Sequence, residues 1–224
     1  MGVRLANIED VKSMSFIHAQ TWKKAYVKYI SAEYLDNITD DGWVPLFTRA
    51  FVQNLHEAAV FELDGIITGT VTFGSGRQLS TCTTCTTSEL DSTRTRENMN
   101  KQEDNCACYI ESMNGQEDNC ASSIKDENIQ RDIICGASLG DEGEIISLYV
   151  LPQYWSTKQG YQLTKFVTDR LKSQGYKSCY LWVIKENDRA VTFYKKFGFR
   201  SAKEFTTVML AGKAVVEEKY RLYL

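Results

Sequence analysis

From Glu144 to Phe199 the chain alternates strand-like and helix-like runs, and that alternation leaves few ways to fold it. Glu144-Ile-Ile-Ser-Leu-Tyr-Val150 reads as a central strand stopped by Leu151-Pro152. A helix follows from about Gly160, with Leu163, Phe166/Val167 and Leu171 as its apolar stripe and Gly175 as its end. Cys179–Ile184 is a second buried-looking strand. Asn187 then opens a short helix carrying Ala190, Phe193/Tyr194 and Phe197 on one side; Gly198 closes it and Phe199 starts another strand. Strands joined through a helix in one sheet lie parallel by a right-handed crossover. The spacing therefore predicts a mixed α/β fold with a parallel crossover late in the chain.

The N-terminal part supplies the flanking elements. Val3–Leu5 is a short strand. Asn7 precedes acidic residues suited to a first helical turn, and Val11, Met14, Ile17/His18, Thr21/Trp22 and Ala25 recur at helical spacing over about Ile8–Ala25. Further helical patches cover Ala32–Asn37 and roughly Trp43–Asn54. Two β-rich runs, about Ala58–Leu63 and Ile66–Phe73, flank Asp64-Gly65, the residue pair of a two-residue hairpin. Thr206–Leu210, Ala211-Gly212-Lys213 and Ala214–Leu224 form a final hairpin.

Between these ordered halves the composition changes. Residues 76–142 are rich in Thr, Ser, Asn, Asp and Glu, with 6 basic and 13 acidic side chains; the rest of the chain has 20 basic and 16 acidic. Met99–Ala107 recurs as Met113–Ala121 at a period of 14, eight of nine positions matching. Two copies do not make a solenoid; a local duplication accounts for them. Such a composition buries too little apolar surface to offset ordering entropy, so the segment is expected to be a mobile insertion in a single domain spanning 1–224. It holds six of the seven cysteines: Cys82, Cys85, Cys106, Cys108, Cys120 and Cys135. Cys82-x-x-Cys85 with Cys106-x-Cys108 offers four thiolates, but the second pair has one intervening residue where zinc knuckles use two. Incidental cysteines on an acidic loop, zinc ligation, and redox or partner recognition all stay open. Cys179, in a core strand, reads as packing.

Several function classes are excluded. Nothing approaches the roughly 18 apolar residues of a membrane span, and the N-terminus has no signal-peptide core, so a soluble cytoplasmic protein is expected. The mildly basic body suits an anionic nucleotide ligand and is too weakly charged for nucleic acid.

The order of elements and several segments resemble the GNAT superfamily of acyl-CoA-dependent N-acyltransferases, over all but the insertion. Glu144–Trp155 looks like that family's fourth strand and the approach to its cofactor loop. Asn187-Asp-Arg-Ala190-Val-Thr-Phe-Tyr194-Lys-Lys-Phe-Gly198-Phe199 matches its N-x-x-A-x-x-F-Y-x-x-x-G-F pattern. His18–Tyr26 with Tyr34-Leu35 resembles the first helices of many bacterial members. The resemblance implies a mostly antiparallel sheet flanked by helices, with the parallel crossover at the cofactor site. It also implies acetyl transfer from acetyl-CoA to a primary amine of a small molecule or peptide by direct attack, without a metal, and a homodimer.

By the same resemblance the pyrophosphate-binding loop is Trp155-Ser156-Thr157-Lys158-Gln159-Gly160, with Tyr161 in the first helical turn. Backbone N–H groups and a helix N-terminus supply the anion site there. Lys158 replaces the first glycine of the pattern and only Gly160 survives. A non-glycine residue resists positive φ, which implies an altered loop, weakened binding, or compensation by Lys158 pairing with a phosphate. Leu148, Tyr149 and Val150 would present backbone groups to the pantetheine arm, with Asn187 and Ala190 beside it; Asn187 is also a natural N-cap. Tyr194 would protonate the leaving thiolate. Glu144 would be the general base, acting through water, with His18 a weaker rival; period-two alternation puts Glu144 on one face with Ile146, Leu148 and Val150. Trp22, Tyr26 and Tyr29, with Tyr34 and Thr206 or Met209, would line the acceptor site. The alternative to an active enzyme is a GNAT-fold protein that binds CoA as a sensor without turnover.

Overall fold

A computed structural model describes residues 2–76 and 141–224. The repeat and the six cysteines of the insertion lie outside the described residues, so the readings of them stay expectations. Twelve main elements follow the predicted order: β1 (Gly2–Leu5), α1 (Val11–Ala25), α2 (Ala32–Asp36), α3 (Val44–Val52), β2 (Glu57–Leu63), β3 (Ile66–Ser75), β4 (Glu142–Val150), α4 (Gln159–Ser173), β5 (Ser178–Ile184), α5 (Asp188–Phe197), β6 (Arg200–Leu210) and β7 (Lys213–Tyr223). Among the described residues, seven strands make one sheet in the order β1-β2-β3-β4-β5-β7-β6. Every pairing is antiparallel except β4 with β5, the crossover that the alternation of elements requires.

Local chemistry sets the boundaries. Asn7 accepts the Glu9 N–H at 2.9 Å, and its own N–H donates to Asp10 Oδ2 at 2.8 Å, so a capping box closes a short 3-10 turn before α1. Arg4 on β1 grips Asp10 with two bonds of 2.7 and 2.9 Å, which hold that carboxyl below its ordinary range. Asp64 and Gly65 both have positive φ, 51° and 80°, as a type I′ hairpin turn demands. Ala211 and Gly212 repeat that geometry in the last hairpin, with φ of 50° and 75°. β6 is one strand from Arg200, irregular between Ser201 and Phe205, rather than two short pieces.

The insertion leaves from the end of β3 and re-enters at β4, which are direct neighbours: Ser75 pairs with Gly143, and the Gly76 N–H donates to Glu142 O at 3.2 Å. A segment whose two ends are held this close can lengthen at small entropic cost.

Helices cover both faces of the sheet. On one, α4 and α5 seal a core of Phe61, Val71, Phe73, Ile145, Leu163, Val167, Leu171, Leu181 and Phe199. Gly143 permits close packing there, because an added Cβ would lie 2.8 Å from Leu171. On the other face, α1 and α3 pack Met14, Ala19, Trp43 and Phe47 against Ala58 and Val60 of β2. Among the described residues, no helix is long and apolar enough to cross a membrane.

His18 of α1 lies in this second layer, 5% exposed, with ring centroids 4.8 Å from Phe47 and 5.7 Å from Trp43. Neither ring nitrogen has a hydrogen-bond partner, and burial depresses its pKa from 6.5 to about 3. The folded state therefore keeps the imidazole neutral where the unfolded chain would take up a proton. This contribution to stability is whole above about pH 6.5 and is lost as pH falls towards 3, at about 1.4 kcal/mol per pH unit. Urea denaturation at pH 7.5 and pH 4.5 checks this. The protein is expected to lose roughly 3 kcal/mol more than His18→Phe over that interval; equal losses would show that the imidazole titrates in the folded state much as in the unfolded one.

Candidate active site

The site begins where the sheet comes apart. β4 and β5 pair over three residues each, Glu142–Glu144 with Ser178–Tyr180. Beyond that, β5 stays with β7 through Ile184, while β4 stays with β3 through Val150. The ends of two parallel strands thus diverge. Leu148, Tyr149 and Val150 border the gap with β3 as their only strand neighbour among the described residues. An extended ligand can lie against such a backbone as an added strand would.

A bulge decides what β4 shows to each side. Thr72 pairs with Ser147 but Phe73 pairs with Ile145, so β4 has one extra residue at Ile146. The alternation reverses there, and this corrects the face expected from period two. Ile145, Leu148 and Val150 pack with the α4 core. Glu144, Ser147 and Tyr149 point to the opposite side, where Ser147 meets Thr72 with 2.7 Å between hydroxyl oxygens.

Glu144 is 1% exposed and sits at the paired end of the strands, where the Tyr180 hydroxyl donates to its Oε2 at 3.2 Å. Tyr149 sits at the open end, about 13 Å further along the strand, opposite Thr70 where Glu144 is opposite Gly74. The Tyr149 hydroxyl accepts from Trp22 Nε1 at 3.1 Å and lies 3.2 Å from that of Tyr26. Its ring is 4.2 Å from that of His18. Trp22 and Tyr26, both on the α1 side, stack with centroids 4.8 Å apart. Tyr29 lies beyond them and donates to Glu186 O at 2.9 Å, tying the end of α1 to the start of α5.

Tyr194 comes from the other face. It packs with Phe193 and Phe199 and is 9% exposed. Burial first, then the proximity of Tyr149, raises its pKa well above that of an ordinary phenol. Burial likewise raises Tyr26, helped by Tyr149, Glu217 and Tyr194. Tyr26 and Tyr149 meet hydroxyl to hydroxyl, Tyr194 lies near enough on the other face to feel the Tyr149 phenol, and burial keeps all three protonated at neutral pH. The structure brings these groups together; Glu144 stands apart at the closed end.

The loop between β4 and α4 is fastened at Trp155, whose Nε1 donates to Val150 O at 2.7 Å; Thr21 donates to the same oxygen at 3.2 Å. The Arg189 guanidinium lies 3.5 Å from the centroid of the Trp155 ring, a cation–π contact that joins the loop to α5. Ser156 and Lys158 both adopt φ of 68°. Lys158 therefore takes the left-handed conformation that a glycine would have there, at a cost of about 1–2 kcal/mol, and α4 begins at Gln159 directly after it. Gly160 leaves room: an added Cβ would meet only Phe193, at 3.6 Å. Tyr161 is half exposed beside Phe197. Asn187 caps α5 by accepting the Ala190 N–H at 3.1 Å.

Two residues of this neighbourhood escaped the sequence reading, Arg189 and Glu217. Arg189 lies inside a recognised segment at a position the pattern leaves open. Glu217 is one of two adjacent glutamates on a hairpin, and only the strand register says which of them faces the cluster. Cys179 is fully buried, and its thiol is pushed up to about 12 by burial, as a packing residue would be. Among the described residues, no group of three or more His, Cys, Asp or Glu side chains is placed to hold a metal ion.

Comparison with known proteins gives the same architecture. Residues 120–199 match the model of the Acetyltransferase (GNAT) family. No curated protein matches the chain significantly in sequence. Solved structures match by fold. The paia N-acetyltransferase from Thermoplasma acidophilum, in complex with coenzyme A, is 16% identical, with TM-score 0.55 over 97% of this chain and 98% of that one. The yncA protein from Salmonella typhimurium, solved with acetyl-CoA, is 14% identical, with TM-score 0.56 over 99% and 92%. A ribosomal-protein-alanine N-acetyltransferase from Brucella melitensis is 11% identical, with TM-score 0.59 over the whole of both chains. At these identities the likeness is one of fold. The family model matches residues 120–199, about a third of the chain, and the fold of the described residues is that of these N-acetyltransferase structures.

Proposed function

We propose that the chain transfers an acetyl group from acetyl-CoA to a primary amine of a small molecule or peptide, by direct attack with both substrates bound. The observation that carries this reading is Tyr194, a buried phenol held protonated beside Tyr149 where β4 and β5 part. The neighbours solved with coenzyme A and acetyl-CoA support the choice of co-substrate.

The residues present suit that co-substrate. The backbone N–H groups of Gln159, Gly160 and Tyr161 open α4 and, with the positive end of its dipole, would take the pyrophosphate. Trp155, Ser156, Thr157 and Lys158 shape the loop around it, and the Lys158 ammonium adds a point charge. Leu148, Tyr149 and Val150 would border the pantetheine arm, with Asn187 and Ala190 on its far side. The thioester then lies in the divergence of the sheet, near Tyr194.

An amine attacks only after losing a proton. Glu144 takes that proton through water, its distance from Tyr149 leaving a carboxylate-to-amine gap that water must bridge. The amine nitrogen bonds to the thioester carbon, the carbonyl re-forms, and the carbon–sulfur bond breaks. Tyr194 donates to the sulfur as charge develops there, and the second proton lost by the amine nitrogen restores the phenol. One proton is released to solvent for each acetamide and CoA thiol formed. Trp22, Tyr26 and Tyr29 line the acceptor side.

Calorimetric titration with acetyl-CoA, followed by thiol release with a panel of amines, tests the proposal. Tyr194→Phe is expected to bind acetyl-CoA within about threefold of the parent but to lose roughly 10²–10⁴ in kcat, the range for one general acid. Failure of the intact protein to bind acetyl-CoA would overturn the reading. Binding without turnover of any amine would favour the CoA sensor. Because Lys158 keeps the left-handed backbone, Lys158→Gly is expected to weaken acetyl-CoA binding by no more than about fivefold, the loss of one exposed charge contact. A hundredfold loss would show that its side chain, not the loop backbone, holds the phosphates.

A further inference from the structure

Glu217 lies on β7, opposite Ile184 of β5 and Thr206 of β6. Alternation along β7 sorts its neighbours cleanly. Tyr220 and Leu222 pack into the α4/α5 core, and Glu218 reaches that way too, accepting from Tyr220 at 3.2 Å and from Ser201. Val215 packs on the other side, against Ile30, Leu35 and Ile184, where Trp22, Tyr26 and Tyr29 also gather. Glu217 shares that side with Val215. It therefore stands on the α1–α2 side of the sheet, next to the aromatic cluster, and its charge raises the phenols of both Tyr26 and Tyr149.

Resting on the acetyltransferase reading above, we propose that Glu217, Trp22, Tyr26 and Tyr149 form the subsite that holds the acceptor's ammonium, selecting amines with no carboxylate on the amine-bearing carbon. Aromatic faces attract an alkylammonium through their quadrupoles, and a nearby carboxylate supplies the counter-charge. Trp22, Tyr26 and Tyr149 are each partly exposed, so a ligand can reach their rings. The basic residues on the same face of β7 are engaged further along: Lys219 lies 3.6 Å from Glu142 and 3.3 Å from Glu204, and Arg221 binds Glu142. His18, behind Tyr149, has two buried nitrogens without partners and is neutral at pH 7, so it adds no competing positive charge. A carboxylate has several lone-pair positions, so a contact elsewhere leaves Glu217 able to accept an ammonium N–H. The same charge repels an α-carboxylate, which penalises free amino acids relative to their decarboxylated amines.

The test uses 3-methylbutylamine and leucine, which differ only in that carboxylate, titrated calorimetrically into the protein saturated with CoA. The amine is expected to bind at least tenfold more tightly than leucine. Glu217→Gln should weaken the amine about tenfold and narrow the preference to within about threefold, while acetyl-CoA affinity and Tm stay unchanged. Glu217→Asp should keep most of the preference, since it keeps the charge. Glu218→Gln, on the other face, should behave as the parent. Equal binding of the two probes by the parent, no binding of the amine, or an unaltered preference in Glu217→Gln would overturn the assignment. Acetyl-CoA titration in the same protein separates these outcomes from a failure of the acetyltransferase reading, which would show as loss of acetyl-CoA binding itself.

Discussion

Three rungs of parallel pairing between β4 and β5 hold the two halves of this sheet together, and the site exists because the pairing stops there. A continuous ladder would have satisfied the backbone of Leu148–Val150 internally and left no room between the faces. Stopping after Glu144 leaves backbone groups bordering a gap, which is tolerable only where water or a ligand can pair with them. Each strand is steadied instead by its outer neighbour, β4 by β3 and β5 by β7. The gap is thus a property of two stable antiparallel units that meet along a short edge.

Side chains enter that gap from both faces because a bulge at Ile146 changes the sense of β4. Without it, Glu144 and Tyr149, five residues apart, would face opposite ways. With it, both face α1, and the tyrosine meets Trp22 and Tyr26. Tyr194 reaches the same place from α5, whose start is set by the Asn187 cap and whose end by Gly198 at φ of 126°. Electrostatics then follow burial. Phenols packed among aromatic rings resist ionisation, and His18 beside them resists protonation. The aromatic layer is therefore neutral at physiological pH, and the fixed charges around it come from carboxylates such as Glu217.

The loop before α4 shows how a departure from a pattern can be absorbed. A lysine in place of glycine could have changed the chain path. Instead Lys158 accepts the left-handed conformation, as Ser156 does two residues earlier. The surrounding contacts outweigh the local strain: Trp155 is bonded to β4 and covered by Arg189, and α4 is packed along its length by Leu163, Val167 and Leu171.

Much of this was legible in the sequence because it depends on local chemistry. The order of elements followed from periodicity, the first hairpin from Asp64-Gly65, the existence of the last hairpin from Ala211-Gly212-Lys213 though its turn is one residue shorter, and the α5 cap from Asn187. The family resemblance followed from residues 187–199, and the helical phase that buries Tyr194 is local to that segment. What the sequence could not show depends on register between segments far apart in the chain. The extra residue in β4 is defined only by its pairing with β3, across the insertion, and it overturns the face expected for Leu148 and Val150 relative to Glu144. Glu217 and Glu218 are equivalent in the sequence; alignment of β7 with β5 sends one to the aromatic cluster and the other to Ser201 and Tyr220. Lys158 could have bent the loop or obeyed it, and the packing of α4 settled which. Local propensity decides which elements form, whereas relative placement is decided by the burial of faces against one another, and that is a property of the tertiary fold alone.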